Sequence, residues 1–194
     1  YSLTYNKTDK RYRPQNGFVN TFYQELPLIA DSSEIVNQFQ TTKFNKFSNV
    51  LTKIGFYVKA VNSISNEDVR VSKRLYIPES KLRGFEKGKV GPIDKSNDFV
   101  GGNYVSTVNF NAAFPNILPA FQNTDVSFFM DAANIWGVDY DSSIDKNNKI
   151  RSSAGLAVDF FTPVGPLNFS LSQPITKNSS DVTESFRFNL GTTF

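Results

Sequence analysis

Residues 150–175 read IRSSAGLAVDFFTPVGPLNFSLSQPI, and this stretch decides the fold. Within 166–175, Leu167, Phe169, Leu171 and Ile175 share one parity, while Asn168, Ser170 and Ser172 share the other. Within 150–160, Ile150, Ala154, Leu156, Val158 and Phe160 stand opposite Arg151, Ser153, Gly155 and Asp159. A period of two places successive side chains on opposite faces of an extended strand, whereas a helix would repeat near 3.6. Pro163 to Gly165 supplies the turn between the two strands.

The same alternation extends outward. In 103–114, Tyr104, Val108, Phe110, Ala112 and Phe114 oppose Asn103, Thr107, Asn109 and Asn111. In 125–136, Val126, Phe128, Met130, Ala132 and Trp136 oppose Asp125, Ser127 and Asp131. In 184–194, Phe186, Phe188, Leu190 and Phe194 oppose Arg187, Asn189, Gly191 and Thr193. Val50, Ile54, Phe56, Val58 and Ala60 line a strand over 49–62, and weaker candidates occupy 1–10, 17–30 and 34–44. This makes nine strands. Their second face is small and polar rather than rich in Lys and Glu, which fits a confined, wet lumen. Their apolar face is rich in Phe, which fits lipid. Strands of about ten residues match a tilted membrane crossing. The expected fold is all-β: an antiparallel transmembrane β-barrel.

The connections support that reading. Those at 11–16, 46–48, 115–122 and 163–165 are short, and those at 63–101, 137–149 and 176–182 are longer; the connection at 31–33 departs from the pattern. Outer-membrane barrels have short periplasmic turns and long outer loops. The pattern places 163–165 and the C-terminus in the periplasm and 63–101 outside. A structureless loop as long as 63–101 requires a reason.

Composition narrows the chemistry. There are 19 Phe and 8 Tyr, yet only 39% of residues are hydrophobic. With no Cys and no His, thiol chemistry, disulfides, imidazole bases and the common zinc ligands are excluded. The 21 basic and 18 acidic residues are scattered, so no nucleic-acid stripe forms. The run Gly84 to Lys89 is one residue short of a phosphate loop and lacks the following Ser or Thr. No enzyme, cofactor or metal site is expected. The start at Tyr1, with no signal segment, suggests a piece of a longer precursor.

Five motifs occur in order: LRGFE (82–86), GGN (101–103), FFMDAANIW (128–136), IRSSAGLAVDFFTPVGPLNFSLSQPI (150–175) and FRFNLGTTF (186–194). With YNKTDKRYRPQNG (5–17) upstream, they cover nearly the whole chain. Together they resemble the C-terminal β-barrel of the bacterial surface antigen family of outer-membrane proteins. The resemblance implies the second half of a roughly sixteen-stranded barrel. The loop at about 63–101 would fold inward.

The implied function is the core insertase of the barrel-assembly machinery, which folds and inserts β-barrel proteins through a lateral seam. The implied partners are outer-membrane lipid, unfolded outer-membrane proteins, and assembly lipoproteins acting through periplasmic domains not in this sequence. Arg83 would match the arginine of the family's R-G-[FY] motif and pair in the lumen with Asp131 of its F-x-D motif. Gly84 would permit a tight approach beside Phe85. Where relatives often carry an acid in the strand after GGN, this chain has Asn111. Phe186, Phe188, Leu190, Gly191 and Phe194 would form the C-terminal strand signal. Competing readings are a TamA-like assembly factor, a two-partner secretion transporter, a passive porin and a soluble adhesive β-sandwich. Arg83 alone could be an ordinary surface-loop arginine, and Asp131 a hydrated lumenal acid.

Overall fold

The computed structural model describes residues 1–27, 33–65, 67–115, 117, 123–138, 148–162 and 165–190. Among the described residues nine strands follow one another: β1 (Ser2–Asn6), β2 (Gly17–Glu25), β3 (Glu34–Phe47), β4 (Val50–Ser63), β5 (Tyr104–Pro115), β6 (Thr124–Trp136), β7 (Arg151–Thr162), β8 (Gly165–Thr176) and β9 (Phe186–Leu190). They form one sheet in sequence order, each strand antiparallel to the next. Hairpin connectivity throughout is the up-and-down arrangement of outer-membrane barrels.

β1 is shorter than the sequence suggests, β9 starts two residues later, and β3 is longer. Ser48 and Asn49 alone join β3 to β4, with Phe47 paired to Val50 and Ser48 in the left-handed region at φ 53°. That backbone matches the tight turns favoured between antiparallel strands. Between β7 and β8 the register slips, so that Ser152 faces Thr176 and Ser153 faces Pro174, leaving Ile175 as the extra residue. Pro174 has no N–H to give to a ladder, which is the usual setting of a β-bulge.

Polarity is inverted relative to a soluble protein. Leu156, Leu171, Val108, Phe186 and Phe188 are all at least half exposed, while Thr107, Ser127, Asp131, Arg151, Ser153 and Ser170 are buried. The apolar parity therefore points outward and the polar parity inward. At the rim near the long connections, Tyr104 stacks on Trp136 with ring centroids 5.7 Å apart, facing outward as interfacial aromatics do.

The interior corrects one expectation. Tyr57, Val61, Val105, Ala133 and Ile135 also point inward, and they join Leu75, Ile77, Leu82, Phe85 and Val90 of the β4–β5 connection in one buried apolar cluster. The inner face is thus dry over part of its area rather than uniformly wet. Nor is the connection structureless. Residues 64–103, here called the plug, carry two 3-10 turns (Val71–Lys73 and Glu79–Lys81) and the bridges Leu75 to Gly102 and Ile93 to Phe99. A connection this long persists because it buries its own apolar side chains against the wall.

Candidate functional site: three arginine clasps on the plug

The Arg83–Gly84–Phe85 segment lies against β6, β7 and β8 on the inner face. Asp131 of β6 points inward by its parity and is almost fully buried. Its Oδ2 accepts the Arg83 backbone N–H at 3.1 Å and Nε at 2.7 Å, and its Oδ1 accepts Nη2 at 2.8 Å. Oδ1 also accepts Asn109 Nδ2 at 2.8 Å from the neighbouring strand. A bidentate guanidinium pair with further donors satisfies a buried carboxylate, the condition for tolerating one at all.

Two more groups complete the seat. The Arg83 guanidinium carbon lies 3.5 Å from the centre of the Phe129 ring, a cation–π contact in a desolvated setting. Phe129 is fully buried and pairs across to Gly155 in β7. A Cβ on Gly155 would overlap the Leu171 carbonyl oxygen and stand 2.7 Å from the end of the Phe129 ring, so the glycine makes room for both. The Arg83 carbonyl accepts Ser153 Oγ at 2.5 Å. Gly84 has φ +88°, and an added Cβ would meet Ser172 Cβ at 3.1 Å and Ser153 Cβ at 3.2 Å. Only a residue free of Cβ takes both that backbone and that approach without strain.

Phe85 enters the apolar cluster and is 2% exposed. Of the candidate residues, Arg83, Gly84, Phe85 and Asp131 thus converge at one place. Phe186, Phe188 and Leu190 stand apart on the outer face of β9; Gly191 and Phe194 lie outside the described residues. Asn111, where an acid was expected, donates to Ser127 Oγ at 3.2 Å. The side chain that joins Asp131 is instead Asn109, which also donates to the Lys81 carbonyl at 2.8 Å.

Two clasps were not apparent from the sequence. Arg151 of β7 and Asp181 of the β8–β9 connection form a fully buried pair, with Nε–Oδ2 at 2.9 Å and Nη2–Oδ1 at 3.2 Å. Asp181 also accepts the backbone N–H of Asn178 at 2.6 Å and of Gly91 in the plug at 3.4 Å. Arg187 of β9 donates to the carbonyls of Phe85 at 2.5 Å and Glu79 at 3.0 Å, and to Glu184 Oε2. The parity of Arg151 and Arg187 marked both as inward, but their partners sit on irregular segments. Phe129 shares the parity of Asp131 and was legible by the same count.

The whole chain, residues 1–194, matches the Omp85 superfamily domain. The chain belongs to the Omp85 superfamily. Its curated relatives include the outer membrane protein assembly factor BamA of Neisseria meningitidis serogroup B, 31% identical over 221 residues that take in 97% of this chain and 28% of that protein. The BamA of Nitratidesulfovibrio vulgaris is 28% identical over 206 residues, with 99% and 25% coverage. The chain therefore spans about a quarter of the length of these relatives. Among solved structures, BamA from Haemophilus ducreyi lacking POTRA domains 1–3 superposes with a TM-score of 0.82 at 23% identity, over 96% of this chain and 40% of that one. This Omp85 domain accordingly has the fold of a BamA C-terminal barrel region, and its place is the bacterial outer membrane.

Proposed function

We propose that this Omp85 chain is the terminal part of a barrel that folds and inserts outer-membrane proteins, working through a lateral seam at its last strand. The observation that carries the reading is the state of β9. Among the described residues it stands at the end of the strand order, paired to β8 on one side from Phe186 to Leu190 and to no strand on the other. An edge strand leaves a row of backbone N–H and C=O groups unpaired and can accept another strand by hydrogen bonding.

The rest of the architecture supports this role. The plug keeps the interior filled while the edge works, and the Arg83–Asp131 seat with Gly84 and Phe85 holds it. The outward Phe186, Phe188 and Leu190 face lipid, and together with Gly191 and Phe194, which follow them in the sequence, they make up the C-terminal strand signal. Strand exchange requires no covalent step, so no catalytic group, cofactor or metal is assigned. The substrates are unfolded outer-membrane proteins. Assembly lipoproteins would act on periplasmic domains outside this chain, and the relatives' names as assembly factors agree with this reading.

The test is reconstitution of the full-length protein into lipid vesicles with an unfolded test porin. The reading expects the porin to fold and insert faster than in empty vesicles. Steady ion conductance with no acceleration would replace it with a passive pore.

A further inference from the structure

The last strand is bound on two sides by different means. Residues 186–190 pair with β8 in the wall, and the Phe169 and Phe188 rings pack outside at 4.9 Å. Just before them the chain pairs with the plug. The Glu86 N–H donates to the Val182 carbonyl at 3.0 Å, the Val182 N–H to the Lys89 carbonyl at 3.0 Å, and the Glu184 N–H to the Gly84 carbonyl at 3.1 Å. Phe85 and Thr183 form the antiparallel bridge between them. Ser185 then returns to the wall, its carbonyl accepting the Ser172 N–H at 2.8 Å.

Arg187 ties these two regions together. Its position opposite Ser170 turns it inward, where its side chain is 6% exposed. One guanidinium spans the carbonyls of Phe85 and Glu79, while the Glu184 carboxylate, at 2.8 Å from Nε and 2.6 Å from Nη2, and the Glu79 carboxylate, at 3.5 Å from Nε, balance its charge. Those two carbonyls belong to the tip and the 3-10 turn of the plug. A planar fork with fixed donors can span such acceptors, whereas an ammonium is a single point of charge.

We infer that Arg187 is a positioning residue that fastens the last strand to the plug tip, so that loosening either one loosens the other. The link rests on the proposed working of the seam only for its purpose; the coupling itself is a property of the fold. If the strand leaves the wall with its clasp intact, the plug tip moves with it. If the plug stays seated, the clasp must open first.

Hydrogen exchange read by mass spectrometry on the full-length protein in lipid nanodiscs tests this. In Arg187→Gln, peptides covering 82–90 and 182–190 should both exchange about tenfold faster, the equivalent of roughly one charge-assisted hydrogen bond, with β4 to β6 unchanged. Glu184→Gln leaves both carbonyl contacts in place and should leave the 82–90 peptide close to wild type. Faster exchange at 182–190 alone in Arg187→Gln would overturn the inference. So would a Glu184→Gln protein loosened in the plug as much as Arg187→Gln. Should Arg187→Gln fail to fold, Arg187→Lys must show an intermediate loosening of both peptides, and wild-type protection at 82–90 in that variant would overturn it. These readings do not depend on insertion activity, so failure of the proposed function leaves them interpretable.

Discussion

Asp131 receives Arg83 twice over, through the backbone N–H at 3.1 Å and through a bidentate guanidinium at 2.7 and 2.8 Å. The carboxylate therefore fixes both the path of the plug and the direction of its arginine. A rigid strand supplies the anchor, and an irregular segment, whose own short pairing to residues 182–184 begins only at Gly84, takes its position from it.

Removing either partner should loosen the plug. Breaking a buried pair leaves an uncompensated charge and costs on the order of 3–5 kcal/mol. The partly exposed Arg83 side chain places this pair toward the lower end. A double-mutant cycle on Arg83→Ala and Asp131→Ala, read by denaturant unfolding of the full-length protein, should show clear coupling. Additive losses would mean that the two side chains act independently.

The Arg151–Asp181 pair should be the more sensitive clasp, since both side chains are fully buried. Arg151→Ala or Asp181→Ala alone should cost more than Arg83→Ala, again on the order of 3–5 kcal/mol. Joint replacement by Met and Leu should recover much of that loss, because no charge is then left buried. A double replacement as unstable as the worse single variant would contradict this account of the pair.

The two ends of the sheet should differ in access. Ser96 is exposed in the plug's outer turn, and Lys10 is exposed in the β1–β2 turn at the opposite end. In intact cells making the full-length protein, a membrane-impermeant thiol reagent should label Ser96→Cys and should reach Lys10→Cys only after the outer membrane is permeabilised. The reverse pattern would invert the topology.

The β1–β2 turn offers a test by pH. Asp9 Oδ1 accepts the Asn16 N–H at 3.1 Å and the Gln15 N–H at 2.9 Å. The Asn16 bond, above all, holds the Asp9 carboxyl below its ordinary value of 3.8. A depressed folded pKa means that the turn is stabilised above the unfolded value and loses that stabilisation as pH falls through the folded one. The Gln15 and Asn16 amide resonances should therefore titrate with a midpoint below 3.8. A midpoint at or above 3.8 would show that the bonds do not persist in solution.

Much of this was legible in the sequence, for a physical reason. Alternation is a local property, and a one-residue slip would turn every side chain to the wrong face, so parity located the outward Phe128, Leu156 and Leu171 and the inward Asp131 and Arg151. The plug was harder. Its fold depends on pairing between distant irregular segments, such as Phe85 with Thr183, and no period announces such contacts. The inward Phe129, Ala133 and Ile135 are apolar on the face read as polar, because their cover is the plug rather than water. The partners Asp181 and Asn109 followed from tertiary proximity alone, and the motif pattern had directed attention to Asn111 instead.

The central claim is that the last strand opens during work. Its most direct measurement uses the full-length protein with one cysteine in β9 and one in the first barrel strand, oxidised to a disulfide across the seam, with Phe194 and the rest of the strand unaltered. The account expects the locked barrel to stay folded but to stop inserting a test porin, with insertion restored on reduction. Locked protein that inserts the porin at the unlocked rate would contradict it.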